Sequence, residues 1–124
     1  MSVRIRRLTE EPGEQVTEQG FKGVNNVWVV KKREEMGPFS SRIFRIEPGG
    51  HTDLHAHDRE HIAVVLRGTC RVEGGEKIED VREGSIISVG KGVSHRFINS
   101  GRDRLALLIM NFFEAHPENS EAPS

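Results

Sequence analysis

The sequence lacks the features of a crosslinked, secreted or membrane-anchored protein. Its single cysteine, Cys70, excludes an intrachain disulfide. The N-terminal segment MSVRIRRLTEE has no apolar signal region, and no apolar run in the sequence approaches the length needed to cross a bilayer. We therefore expect a cytoplasmic protein that does not bind to a membrane.

A strong charge of either sign is also missing. The chain has 18 Lys and Arg residues against 19 Asp and Glu residues, and its formal net charge is -1. This balance gives no support to binding of nucleic acid or of an anionic lipid surface. Its 124 residues are enough for one domain with its own core.

A helical hydrophobic period is absent from most of the chain, and short apolar runs separated by glycine-containing turns take its place. Strands are predicted at residues 24–31, 42–47, 62–66, 69–73, 77–81, 86–89 and 104–113. By periodicity alone the last of these segments could also be a helix. Together with candidate strands such as residues 3–8, this makes around eight or nine short strands, which predict an all-β fold, either an antiparallel barrel or a double-sheet jelly roll.

One domain is expected to span residues 1–113, with an N-terminal arm at residues 1–20 and a barrel at residues 22–113. Within the arm, residues 3–8 alternate as a lone edge strand or an ordered arm would, and residues 10–19 are predicted to form a loop. The polar, proline-containing residues 114–124 are predicted to be a disordered tail.

Three of the six histidines lie close together in residues 49–68, GGHTDLHAHDREHIAVVLRG. Imidazole is the commonest protein ligand for borderline metal ions. In a strand His55 and His57 would project to one side, and His61 would open the next strand with the same parity. The pattern predicts a metal site.

A second stretch, residues 84–99, reads GSIISVGKGVSHRFIN. A short β-branched strand is followed there by a glycine-rich turn and then by His95. The sequence so far does not decide whether His95 joins the other histidines.

The two stretches together resemble the two motifs of the cupins. The first motif, G-x5-H-x-H-x3,4-E-x6-G, is matched from Gly49 to Gly68, with His61 at the usual Glu position. The second, G-x5-P-x-G-x2-H-x3-N, is matched from Gly84 to Asn99, with Gly90 in place of Pro. The resemblance covers residues 22–113 and implies the cupin double-stranded β-helix, a jelly-roll barrel.

The histidine at position 61 makes the chain similar to small single-domain cupins of the four-histidine type. The metal ligands that this resemblance implies are His55, His57, His61 and His95. The expected cofactor is one divalent transition metal per chain, namely manganese, iron, copper or nickel, with zinc as a further option. The implied function is a metal-dependent dioxygenase or other oxidoreductase acting on a small organic substrate. The alternatives are a non-oxidative isomerase or lyase, and a non-catalytic module that binds a small molecule or a metal.

Other interpretations of the same residues are less favoured. Glu60 is one position short of the motif and would face away from His61 on a strand. The letters from His57 to His61 also fit the inverzincin pattern H-x-x-E-H, which would need a helix where residues 62–66 favour a strand. We predict that His51 is a loop residue outside the site.

Strand parity nominates five pocket residues. Their side chains share faces with the expected ligands or with one another: Arg42, Phe44, Phe97, Leu107 and Ile109. Arg42 could bind a substrate carboxylate, although a solvated arginine at a strand end is the commoner case. Cys70 is interpreted as a small buried hydrophobic residue.

An open barrel exposes strand edges, and apolar surface is expected around Trp28 and Val29. Pairing with a second copy would cover both features. We therefore predict a homodimer.

Overall fold

The structure is a computed structural model that describes residues 3–31, 39–54, 56–57 and 59–112. These residues form one short 3₁₀ turn, Leu8–Glu10, and nine strands. The strands are β1 (Glu14–Gln15), β2 (Lys22–Val30), β3 (Phe39–His51), β4 (Glu60–Arg67), β5 (Thr69–Gly74), β6 (Lys77–Arg82), β7 (Ile86–Val89), β8 (His95–Asn99) and β9 (Leu105–Phe112). The predicted all-β fold is confirmed. His55 and the predicted tail from residue 114 lie outside the described residues.

All strand pairs are antiparallel, and the sheet curls into a jelly-roll half-barrel. Seven strands follow the order β6-β5-β8-β3-β9-β4-β7, while β2 pairs with β3 and β1 with β2. The long strand β3 contacts β2, β8 and β9, so it joins the two halves of the sheet. The segment that periodicity left open is the strand β9, which lies between β3 and β4.

The strand alternation that the sequence shows sets the position of the core. On β4, His61, Ala63 and Val65 are buried, whereas Ile62 and Val64 are only partly so. Eleven of the thirteen buried apolar residues form one cluster: Val24, Phe44, Ile46, Ala63, Val65, Cys70, Val89, Phe97, Leu105, Leu107 and Ile109. Cys70 lies in this cluster with no exposed surface, in agreement with its interpretation as a hydrophobic residue.

A bulge in β3 changes the expected end of that strand. Val24 pairs with Ile46 and Lys22 pairs with His51, so residues 47–50 bulge out opposite Gly23. Beyond the bulge His51 also pairs with Ile98 of β8. The prediction that His51 is a loop residue is therefore wrong, because strand pairing resumes after the glycines that signalled a turn.

The N-terminal residues depart from the expected loop. Residues 3–7 form no strand, but Arg6 donates hydrogen bonds to the backbone carbonyls of Val29 and Trp28, at 2.7 Å each. The predicted loop at residues 10–19 contains β1, which pairs with Asn25 and Asn26. A two-residue strand is too short to give a periodic pattern. Trp28 and Val29 are half-buried.

Within the described ranges, the structure contains no helix with the length and apolar character required to pass through a lipid bilayer.

Candidate metal centre

Three histidines from separate parts of the chain converge inside the half-barrel. His61 begins β4, His95 begins β8, and His57 lies in the segment before β4. One ring nitrogen from each lies within 4.8 Å of the others. The ring centroids are 4.4 Å apart for His57 and His61, 5.5 Å for His57 and His95, and 5.3 Å for His61 and His95. This is the arrangement expected of ligands that share one ion.

Strand pairing fixes two of these rings on the inner face of the sheet. His61 pairs with Asn111 of β9 and with Val89 of β7, and it is 5% exposed. His95 pairs with Gly74 of β5, and its ring lies 5.6 Å from that of Phe97. Glu60 is exposed, so the inward residue at this position of β4 is His61 and not the neighbouring carboxylate. The helix that the inverzincin interpretation needs is absent, because residues 60–67 are β4.

The orientation of His95 suits a metal ligand. Its Nδ1 lies 2.9 Å from the backbone carbonyl of Val93. A neutral ring in this position donates its Nδ1 proton to that oxygen, which leaves the lone pair on Nε2. Backbone or carboxylate partners of this kind commonly orient histidine ligands.

The electrostatic surroundings keep His61 neutral. Burial lowers the pKa of His61 to about 4. Repulsion between the His61 and His95 rings when both are protonated, and repulsion from Arg59 and Arg42, add to this shift, whereas a hydrogen bond from a protonated His61 to the Asn111 side chain opposes it. In the neutral ring the buried Nε2 has no hydrogen-bond partner within the described residues. A buried, neutral nitrogen beside two further imidazoles fits a divalent transition ion, which binds through such lone pairs.

The histidines lie at one side of a cavity of about 480 Å³, which is in the size range of small-molecule sites. Four aromatic side chains line it: Phe21, Trp28, Phe44 and Phe97. The guanidinium carbon of Arg42 lies 4.4 Å from the ring centroid of Phe44 and 5.2 Å from that of Trp28. The site therefore combines apolar walls with a cation that is held by ring faces.

Four of the five predicted pocket residues line this cavity, namely Arg42, Phe44, Phe97 and Ile109. Arg42 is only partly exposed, so the interpretation as a solvated strand-end arginine is wrong. Leu107 is not on the cavity wall; it is fully buried in the core, opposite Phe44 and Val65. Strand parity predicted correctly which face of β9 carries Leu107. It did not predict that the side chain lies in the core and away from the cavity.

The sequence interpretation missed several residues of the cavity. They are polar or lie in the N-terminal segment: Asn26, Thr52, Asp53, Asn111 and residues 14–18. Asn26 and Trp28 alternate along β2, and Asn111 has the parity of Ile109, so strand parity could have nominated these three. No sequence signal connected residues 14–18 with the histidines.

A jelly-roll half-barrel with a histidine cluster on its inner face defines the class of this protein. The family profile of the cupin domain matches residues 42–111, more than half of the chain. The chain therefore belongs to the cupin family. The comparison with curated proteins found no match.

Solved structures share this fold. The polyketide cyclase RemF from Streptomyces resistomycificus has a TM-score of 0.79 and 26% identity, over 99% of this chain and 90% of its own. A predicted oxalate decarboxylase from Thermotoga maritima has a TM-score of 0.81 and 22% identity, over 88% of this chain and 98% of its own. A cupin 2 conserved barrel domain protein from Rhodopseudomonas palustris has a TM-score of 0.70 and 23% identity, over 84% of this chain and 70% of its own.

Proposed function

We propose that this protein is a metal-dependent enzyme acting on a small organic substrate in the aromatic-lined cavity. The observation that carries the proposal is the convergence of His57, His61 and His95 at the wall of that cavity. His55, outside the described residues, is the fourth ligand that the sequence predicts. Manganese, iron, copper, nickel and zinc all accept imidazole ligands, so the donor set leaves the metal open.

A divalent ion in such a site supplies Lewis acidity that polarises a substrate carbonyl or carboxylate oxygen. The chain's own residues prepare the site for it. His61 stays neutral at physiological pH because burial lowers its pKa to about 4, so its nitrogen needs no deprotonation before it binds a metal. Phe21, Phe44 and Phe97 give the cavity apolar walls, and a substrate bound against them would displace water and so strengthen electrostatic interactions there.

Charged residues of both signs line the cavity: Arg42 and Arg59, and Glu14, Glu18 and Asp53. Beside the histidines, neutral imidazole ligands leave the charge of a metal ion uncompensated, which favours a substrate that carries or develops negative charge on oxygen there. Such surroundings stabilise an enolate or a carboxylate. The reaction class that we favour is therefore non-oxidative: ring closure, isomerisation or bond cleavage next to a carbonyl. The 26% identity with a polyketide cyclase, over nearly the whole chain, supports this choice.

A dioxygenase, the function implied by the resemblance to four-histidine cupins, is the second candidate. It would use the same ligands and cavity and would differ in its requirement for dioxygen. Purified protein loaded in turn with manganese, iron, copper, nickel or zinc separates the two classes. Under anaerobic conditions in D₂O, we expect the metal-loaded protein to exchange the hydrogens next to the carbonyl groups of a β-diketone. NMR measures this exchange.

Oxygen uptake that requires the metal, with diketones, thiols or phenylpropenes, would contradict the non-oxidative assignment and support the dioxygenase. Absence of turnover with every metal, together with a small molecule retained through purification, would favour a binding module instead.

The metal ligands are tested separately by metal analysis of the untagged protein. We expect about one transition ion per chain and at least a tenfold weaker metal affinity for His61→Ala, since a ligand has a larger effect than its neighbours. His51→Ala is the matched control, because His51 is a partly buried histidine of β3 outside the cluster. Full metal content in His61→Ala would show that His61 is not a ligand.

A further inference from the structure

Four buried polar atoms line the cavity without a hydrogen-bond partner among the described residues. They are Oδ1 of Asn26, Nε of Arg42, Nε2 of His61 and Oδ1 of Asn111. An unsatisfied buried polar group destabilises a fold, so native proteins contain few of them. Four at one wall of a cavity mark the positions where water or a bound molecule completes these hydrogen bonds. Nε2 of His61 belongs to the metal site, and the other three atoms remain to be explained.

These three atoms occur on adjacent strands and differ in hydrogen-bonding role. Arg42 pairs with Trp28 of β2 and with Ile109 of β9, while Asn111 pairs with Ser40 and His61. Asn26 pairs with Phe44, two positions from Arg42 along β3. Arg42 offers a donor, whereas the two asparagine oxygens offer acceptors. A ligand that complements this wall therefore carries both an acceptor and donors.

The charge of Arg42 adds a second requirement. The guanidinium contacts the faces of Phe44 and Trp28, and it forms no salt bridge with a described residue. Burial lowers the pKa of Arg42, and the negative charge of Glu18 opposes that shift. Because arginine still remains protonated in proteins, the cavity contains a partly buried cation. A carboxylate matches its planar fork of donors.

We propose that Arg42 binds the carboxylate of a planar, conjugated substrate, and that Asn26 and Asn111 accept hydrogen bonds from its hydroxyl or enol groups. The inference rests on the proposed function for the role of the metal site and names the substrate class, a hydroxylated aromatic or enolic acid. The aromatic residues of the cavity wall, Phe21, Trp28, Phe44 and Phe97, suit a flat molecule. Phosphate is a poorer match, because the two asparagine oxygens are acceptors and would face its negatively charged oxygens.

The test measures binding of simple probes to metal-free protein in EDTA by calorimetry. Para-hydroxybenzoate carries both groups, para-cresol lacks the carboxylate, and benzoate lacks the hydroxyl. We expect para-hydroxybenzoate to bind about 10- to 100-fold more tightly than para-cresol, the usual effect of a charge-assisted hydrogen bond. Benzoate should bind with intermediate affinity and inorganic phosphate more weakly than benzoate. Trp28 is the only tryptophan and the chain has no tyrosine, so its fluorescence reports binding in this cavity.

Variants assign the two roles. Arg42→Gln should remove most of the preference for para-hydroxybenzoate over para-cresol, and Arg42→Lys should keep part of it. Asn26→Ala should reduce the preference for para-hydroxybenzoate over benzoate. Arg45→Gln is the matched control, because Arg45 lies on the same strand and its side chain donates to the Leu8 carbonyl outside this cavity. Circular dichroism checks that each variant is folded.

Equal affinity of the wild-type protein for para-hydroxybenzoate and para-cresol would overturn the inference, and this result needs no variant. Tighter binding of phosphate than of benzoate would overturn it as well. Failure of the proposed function has a different signature. If the protein binds no metal but prefers para-hydroxybenzoate through Arg42, the proposed metal-dependent function is wrong and the inferred substrate site stands. If it binds one metal ion per chain but shows no preference for a carboxylate, the inferred substrate site is wrong and the metal site stands.

Discussion

At the scale of single residues, the three described histidines differ in how they are held. His95 is oriented by the Val93 carbonyl, whereas Nε2 of His61 is buried and its pKa is lowered to about 4. A ring that cannot easily be protonated and has no partner is unfavourable in an ordinary core. The same ring is well prepared as a metal ligand, so its environment is better explained by binding than by stability.

Cys70 illustrates the opposite case, a polar group adapted to the core. It has no exposed surface, and burial raises the pKa of its thiol to about 12. We expect iodoacetamide to modify Cys70 in the native protein slower than a free thiol by about three orders of magnitude or more, because the reaction requires unfolding. Mass spectrometry of the native protein against the protein in guanidinium chloride measures this rate.

The raised thiol pKa also sets the direction of the alkaline stability. In the unfolded chain the thiol ionises near its ordinary value of 9.0, while in the folded protein its pKa is about 12. The unfolded state therefore loses its proton first, and the stabilisation present below pH 9 is lost as the pH rises through this window. Cys70→Ala should show a weaker loss of stability there, measured by urea unfolding at a series of alkaline pH values. Rapid alkylation of the native thiol would contradict both expectations.

At the scale of elements, the bulge of β3 connects the two parts of that strand. Gly49 has a positive φ of 80°, and a Cβ atom there would meet no atom within 4 Å. At Gly50 a Cβ would lie 2.5 Å from the Lys22 carbonyl oxygen and 2.9 Å from that of Glu47. The first glycine is needed for its backbone conformation and the second for the close approach of β2.

These two glycines give a matched pair of variants. Gly49→Ala should lower the free energy of unfolding by about 1 kcal/mol, the cost of a left-handed backbone. Gly50→Ala should lower it by more than about 2 kcal/mol, because backbone atoms must move. Urea unfolding followed by circular dichroism measures both. Equal losses would show that the packing at Gly50 is less tight than described.

The second motif ends at Asn99, whose buried side chain forms three hydrogen bonds. The Asn99 amide donates to the carbonyls of Ile46 and Asp103, at 2.8 Å each, and its Oδ1 accepts from the Gly101 backbone at 2.9 Å. These bonds connect β8 with β3 and with the turn into β9. The asparagine that matched the motif in the sequence therefore has a structural role in this chain.

At the scale of the whole molecule, the sheet ends at β6 and β7 within the described residues. Ile78 on β6 and Ile86 on β7 are each 71% exposed. Terminal strands with apolar side chains favour association with another strand. The sequence suggested a dimer surface around Trp28, but Trp28 lines the cavity. We therefore expect the dimer surface at β6 and β7.

We therefore predict a homodimer of about 28 kDa, twice the 14.0 kDa of the chain, in sedimentation or light scattering at micromolar concentration. Ile86→Lys should shift the equilibrium towards the monomer. Val3→Lys, at a residue 89% exposed and outside β6 and β7, is the control. A monomeric wild-type protein at this concentration would disprove the prediction.

The sequence by itself determined the strand pattern and the faces of the main side chains. Alternation and glycine-bounded strands were enough to predict an all-β fold, and the resemblance of the two motifs to those of the cupins implied the jelly roll and grouped His57, His61 and His95. Parity works here because a strand has a period of two, so one inward residue fixes the direction of its neighbours.

Only the tertiary structure decided which inward residues meet and how deep they lie. Leu107 and Ile109 share a face and both lie in the core cluster, but only Ile109 also lines the cavity. Long stretches of sequence separate Asn26, Arg42 and Asn111. Their buried polar atoms come to one cavity wall only when β2, β3 and β9 pair with one another. Depth and cross-strand neighbours depend on the curl and register of the sheet, which local periodicity does not contain.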